Sequence, residues 1–100
     1  MQIVSVEEEE TMVRMFVRHR VNDYTAWRAA YDGFDPERQK LGVVGHAVYQ
    51  ALGDPNEVTI WHDFGSREAA ESFAVSPELR EAMQRAGVQG QPEVWLTTVA

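Results

Sequence analysis

The chain has 100 residues, 44% of them hydrophobic and 25% charged, a balance ordinary for one globular domain with a single core. A formal net charge of -7 at pH 7 works against nucleic acid as a partner, since a phosphate backbone would be repelled over most of the surface. Zero cysteines exclude disulfides, thiolate catalysis, zinc–thiolate sites and iron–sulfur clusters, and no apolar run approaches the roughly 20 residues of a membrane span.

Residues 1–11 include four consecutive glutamates, Glu7 to Glu10, and read as a solvated acidic segment ahead of a domain over residues 12–100. The start lacks the basic and apolar regions of a signal peptide, so a cytoplasmic location is expected. From Met12 the pattern alternates. Val13, Met15, Val17, His19 and Val21 fall on one side and Arg14, Phe16, Arg18 and Arg20 on the other, which predicts a strand with one apolar face.

Asn22 and Asp23 supply an N-cap for a helix whose Tyr24, Trp27, Ala30, Tyr31 and Phe34 recur at helical spacing. Asp35-Pro36 interrupts it, with Asp35 expected to cap a short second turn, and Gly42 reads as a left-handed C-terminal cap. A second alternating run, Val43 to Leu52, meets Gly53-Asp54-Pro55-Asn56, strong turn chemistry that predicts a hairpin into a third strand over Val58 to Phe64. Such a hairpin brings His46 close to His62 and Phe64 and puts Asp63 on the face opposite His62.

The stretch Glu57-Val58-Thr59-Ile60-Trp61-His62-Asp63-Phe64-Gly65-Ser66 is where chemistry is expected to concentrate, because a Trp, a His and an Asp stand in successive positions. Ser66 caps the next helix, which carries Phe73, and Ser76-Pro77 resets it. Leu79, Ala82, Met83 and Ala86 then repeat at i, i+3, i+4 and i+7 up to Gly87, and a Gly/Gln loop leads to a last strand over Glu93 to Val99. The expected order is β-α-β-β-α-β, a ferredoxin-like α+β fold with an antiparallel sheet and both helices on one face. Phe16, Trp61 and Trp95 would lie on the other face, so homodimerisation through the sheets is expected.

Four segments carry a family resemblance: Val17-Arg18-His19-Arg20-Val21, Asp23-Tyr24-Thr25-Ala26-Trp27, Asp54-Pro55-Asn56-Glu57-Val58 and Ser76-Pro77-Glu78-Leu79-Arg80-Glu81-Ala82-Met83. Over residues 12–99 the chain resembles the dimeric α+β-barrel superfamily, which includes the antibiotic biosynthesis monooxygenases and short actinobacterial proteins labelled cyclases. The resemblance implies a dimeric α+β barrel with a pocket between sheet and helices. It implies one of several activities: oxidation of quinol-like polyketides without metal or flavin, lactone isomerisation, haem degradation, or binding alone. Haem degraders of this fold hold iron through a histidine on the second helix, and residues 66–86 contain none.

No cofactor and no metal are expected: a metal would need His19, His46 and His62 to converge. Cofactor-free oxygenation needs an apolar cavity, a base to take a phenolic proton, and donors for the developing oxyanion. His62 or His19 is the candidate base, and Tyr24, Trp27, Tyr31, His46, Tyr49 and Phe73 are candidates to bind a small aromatic or polyketide-like substrate. The same residues would serve a cyclase or isomerase, and the competing reading is a dimeric ligand-binding or structural module without turnover. Arg14, Arg18 and Arg20 would clamp an anionic substrate or pair with acids of a partner chain.

Overall fold

A computed structural model of the chain describes residues 12–100; the acidic segment 1–11 lies outside the described residues. The elements run β1 (Val13–Val21), α1 (Tyr24–Gly33), α2 (Asp35–Lys40), β2 (Val43–Ala51), β3 (Asp54–Phe64), α3 (Arg67–Ala74), α4 (Pro77–Arg85) and β4 (Val88–Thr98). The strands form one antiparallel sheet in the order β2-β3-β1-β4. This is the ferredoxin-like α+β arrangement, with each of the two helical segments divided in two at a proline. Among the described residues no helix is long and apolar enough to cross a membrane.

Alternation decides which side of the sheet carries the helices. Val13, Met15, Val17, His19 and Val21 of β1 are buried, as are Val58, Ile60, His62 and Phe64 of β3. Against that face pack two apolar groups. Phe73 and Ala70 of α3 join Met15, Val17 and Phe64 at one end, and Trp27 and Tyr31 of α1 join Val21, Val58 and Ile60 at the other. Side-chain caps start three of the helices. Asp23 accepts from the Ala26 amide at 2.9 Å, Ser66 from Ala69 at 3.1 Å and Ser76 from Leu79 at 3.2 Å, each such cap contributing about 1 kcal/mol.

Three local expectations change. Asp35 does not cap α2: Phe34 holds the cap position, and Asp35, already in the helix, accepts from Arg38 and Gln39 instead. The β2–β3 turn is Leu52-Gly53, with Gly53 at φ +81°, and Asp54 already pairs with Ala51, so Asp54-Pro55-Asn56 starts the strand rather than forming the turn. The Asn56 side chain, freed from the turn, accepts from the Tyr24 amide at 2.9 Å and so ties the hairpin to the start of α1. Finally, residues 88–92 are strand, not loop. Val88 and Gln89 pair with Val21 and Arg20, and the register shifts between Arg18 and Arg20 where Gly90 turns to φ +67°, an irregularity that a local reading of glycines and glutamines takes for a loop.

The outer face holds Phe16 stacked on Trp95, with centroids 5.4 Å apart, and Trp61 under the Arg14 guanidinium at 3.6 Å. The three arginines of β1 have partners within the chain. Arg14 grips Asp63 with two bonds of 2.7 and 3.0 Å, Arg18 meets Glu57 at 3.0 Å, and Arg20 reaches Asp54 and Glu57 at 2.9 and 3.1 Å. Each is therefore paired with an acid of β3 within the chain.

Candidate functional site

The four apolar residues of α4 repeat as a core-facing stripe should, yet no residue of this helix is fully buried. Leu79, Ala82, Met83 and Ala86 face a cavity of about 590 Å³ between α4, α1 and the sheet, within the size range of small-molecule sites. Its deep wall is Met15, Val17, Ile60, Trp27 and Phe73, all buried; its outer lining includes exposed Arg80, Gln84, Gln91 and Val94. The space is thus apolar at depth and reaches the surface beside β4.

Set into this wall is a chain of polar groups that crosses four elements. The Tyr31 hydroxyl, on α1, lies 3.1 Å from His62 Nε2 on β3 and 3.2 Å from His46 Nδ1 on β2. The two histidines stand directly opposite each other in the β2–β3 ladder, which is why one hydroxyl reaches both. His46 Nε2 in turn lies 3.4 Å from Asp35 Oδ1. Arg38 closes the group from α2. Its guanidinium sits 3.7 Å over the Tyr31 ring, donates to the Tyr31 carbonyl at 2.6 Å and pairs with Asp35 at 3.1 Å. Trp27 stacks on the other side of Tyr31 at 4.9 Å.

Burial sets the electrostatics. It pushes the His62 imidazolium down to a pKa of about 3, and the nearby Arg38 and His46 push the same way. Burial likewise raises the Tyr31 phenol to about 12, against the pull of Arg38 and Arg28. His19 is also lowered, again mainly by burial. Asp35 is held below the ordinary carboxylate range: desolvation alone would raise it, but Arg38, Gln39 and His46 outweigh that. At neutral pH the site therefore holds neutral His62 and Tyr31 beside a charged Arg38–Asp35 pair. An ultraviolet titration is expected to show Tyr31 ionising about two pH units above a free phenol; a tyrosinate signal complete by about pH 11 would contradict its buried placement.

Among the described residues three buried side-chain atoms have no hydrogen-bond partner: His19 Nδ1, Arg38 Nε and His62 Nδ1. All three residues line the cavity. Buried polar groups are nearly always paired, so these three atoms, each covered by protein, are exceptions gathered on residues around one space.

The cavity gathers His62, His19, Trp27, Tyr31 and Phe73. His46 does not line it but shares the Tyr31 hydroxyl. Tyr24 stands behind Trp27, at 5.9 Å between rings, and its hydroxyl accepts from Arg28 at 3.2 Å. Tyr49 is not at the site: it pairs opposite Thr59 on the outer face of the sheet and is 56% exposed. His19 pairs with Val58 and His62 with Met15, which separates them along β1 by about 13 Å at the strand rise. The three histidines therefore do not converge, and among the described residues no cluster of three or more His, Cys, Asp or Glu side chains is placed to hold a metal. Arg38 and its partner Asp35 are the functional candidates that sequence reasoning missed. The only signal was their i, i+3 spacing across Pro36, and an arginine 1% exposed is not what spacing leads one to expect.

Among solved structures, SnoaB, a cofactor-independent oxygenase from Streptomyces nogalater, superimposes with a TM-score of 0.74 at 15% identity, over 90% of this chain and 94% of its own. A presumed antibiotic biosynthesis monooxygenase from Bordetella bronchiseptica gives 0.77 at 16% identity, over 90% and 98%. The chain has the fold of the antibiotic biosynthesis monooxygenases. A conserved protein from Methanosarcina mazei Go1 has it too, with a TM-score of 0.71 at 14% identity over 92% and 96%. No family model matches the sequence, and no curated protein matches it. At such identities the likeness is one of fold, and the reading of the site rests on its own residues.

Proposed function

We propose that the protein is a cofactor-independent enzyme, a monooxygenase in the leading reading, acting on a flat aromatic or polyketide-like substrate held under α4. The observation that carries this is the cavity itself: apolar and aromatic at depth, with a buried His–Tyr pair and a buried arginine among its walls. The fold shared with a protein described as a cofactor-independent oxygenase supports it.

In this reading His62 takes the proton of a phenol or enol of the substrate. It is preferred over His19 because it alone is coupled to Tyr31 and His46. Nδ1 is covered by surrounding side chains, which the substrate displaces to reach it. Arg38 Nε, the unpaired donor, steadies the enolate oxygen. The electron-rich carbanion then passes one electron to dioxygen, and the two radicals join as a peroxide. Loss of water leaves a carbonyl where a ring CH2 stood, one oxygen atom ending in the product and the other in water. Binding and orientation by Trp27 and Phe73 would serve a cyclase or isomerase equally, since either also begins with proton removal beside a carbonyl.

One observation favours the binding-module reading. A His62 imidazolium with a pKa of about 3 costs about 5 kcal/mol to form at pH 7, so a base that had to keep its proton would be a poor one. The test is oxygen uptake with an anthrone in chelator-treated buffer. The enzyme reading expects one dioxygen consumed per anthrone and an anthraquinone product; binding of the anthrone without uptake supports the module.

The homodimer belongs to the same proposal. Phe16, Trp61 and Trp95 form an aromatic patch on the outer face, where Trp95 is 44% exposed, and a second copy would cover it. Trp95→Asp is expected to convert a dimer to a monomer in native mass spectrometry; a wild-type monomer would overturn the sheet-packing proposal.

A further inference from the structure

The hydroxyl of Tyr31 has one proton, and it lies within hydrogen-bond distance of nitrogens on two histidines. Which way that proton points follows from the far end of the chain. Asp35 Oδ1 is an acceptor only, so the His46 Nε2 that faces it at 3.4 Å carries the hydrogen. A neutral His46 then offers a bare Nδ1, and the Tyr31 O–H donates to it. The Tyr31 oxygen must accept from its other neighbour, so His62 Nε2 carries a hydrogen as well. That leaves His62 Nδ1 as a lone pair, and this atom has no partner among the described residues.

From this ordering we propose that Tyr31 and His46 form a directional proton relay, carrying a proton taken up at His62 Nδ1 out of the cavity to the half-exposed His46–Asp35 pair. The step balances in three bonds. His62 gains a hydrogen on Nδ1 and gives its Nε2 hydrogen to the Tyr31 oxygen. Tyr31 gives its own hydrogen to His46 Nδ1, and His46, now carrying both hydrogens, becomes the cation. His62 and Tyr31 end neutral, each with its hydrogen bond reversed.

The surroundings favour moving the charge this way. His62 is 3% exposed and faces the positive Arg38 and the imidazole of His46, with Asp63 the one acid acting on it from β3. Tyr31 is surrounded by Arg38 and Asp35 of α2 and by Arg28 and Asp32 of α1. The His46 side chain is 32% exposed and meets a carboxylate held in its charged form. A cation at His46 is solvated and paired, whereas one at His62 is neither. Such a relay removes the objection that His62 is too weak a base, because His62 need not keep the proton. In this respect the proposal rests on the enzyme reading, with His46 and Tyr31 as positioning and relay groups rather than substrate contacts.

Long-range 1H–15N correlation of the histidine side chains in the wild-type protein at neutral pH tests the ordering without any substrate. The expected spectrum has both His46 and His62 protonated on Nε2 and bare on Nδ1. A His62 protonated on Nδ1 with a bare Nε2 would overturn the relay, because Tyr31 would then donate toward the cavity. In the Tyr31→Phe protein the His62 preference is expected to relax toward a mixture of tautomers, and an unchanged tautomer would overturn the coupling through the hydroxyl. With a turning-over substrate, Tyr31→Phe is expected to lower kcat by on the order of 100-fold with KM little changed; kcat within about two-fold of wild type would reject the relay. The spectra stand apart from oxygen uptake, so a failure of the oxygenase reading is visible separately.

Discussion

His62→Gln is expected to lower kcat by a factor on the order of 10² to 10⁴ while leaving substrate binding largely intact, the range general-base groups contribute. Glutamine keeps most of the volume between Tyr31 and Phe73, whose ring lies 5.3 Å from that of His62, and its amide can still donate to the Tyr31 oxygen. What it lacks is a basic lone pair at the position of Nδ1. His19→Gln is the matched control. His19 also lines the cavity and has an orphan Nδ1, but it stands edge-on to Trp27 at 5.7 Å and touches neither Tyr31 nor His46. Steady-state kinetics of the two variants against one substrate separate the candidates. A large loss in His19→Gln with His62→Gln unaffected would move the base to the other end of the cavity.

Acidification is expected to remove about 3 kcal/mol of stability between about pH 7 and pH 4 through His62 alone. The sign follows from where the protons sit. The folded state holds His62 neutral down to about pH 3, whereas the unfolded chain protonates it near 6.5. Between those values the unfolded state binds more protons, so stability is complete above about 6.5 and falls steadily as pH drops toward 3. His19, lowered by burial, acts in the same direction. Asp35 and Asp54, both held below their ordinary range by basic partners, add their losses only around pH 4 and lower. Against total stabilities of about 5–15 kcal/mol this is a large fraction. Urea midpoints measured across the range should fall with pH in the wild type and fall less in His62→Gln. Equal slopes in the two would mean that His62 is not buried neutral.

The fold was legible because its signals are local and periodic. The β1 alternation from Val13 to Val21 named the buried face residue by residue, and Asp23, Ser66 and Ser76 cap the helices they precede. Reading failed where a distant partner decides. Nothing near Val88 announces that it will pair with Val21, and the glycine at 90 that suggested a loop serves an irregular strand. Half of the site was legible too. Tyr31 and His62 follow from helical spacing and strand parity, and His46 from the hairpin. Tyr49 was misassigned although parity was available: three residues beyond His46 on a strand, it must face the other way. Arg38 was out of reach, since only the closing of α2 over Tyr31 makes a buried arginine tenable. Likewise α4 reads as a core helix, and only its seat in the fold turns the same stripe into the wall of a cavity.

The cavity under α4 is where a flat aromatic molecule is expected to bind. The most direct measurement is a 1H–15N and methyl NMR titration of the protein with an anthraquinone, an unreactive product-like probe. Shifts are expected at Leu79, Ala82, Met83 and Ala86 of α4 and at His62, Tyr31 and Phe73 beneath it, the residues that line the space. No shifts at saturating probe, or shifts confined to Phe16, Trp61 and Trp95 on the far face of the sheet, would contradict the account.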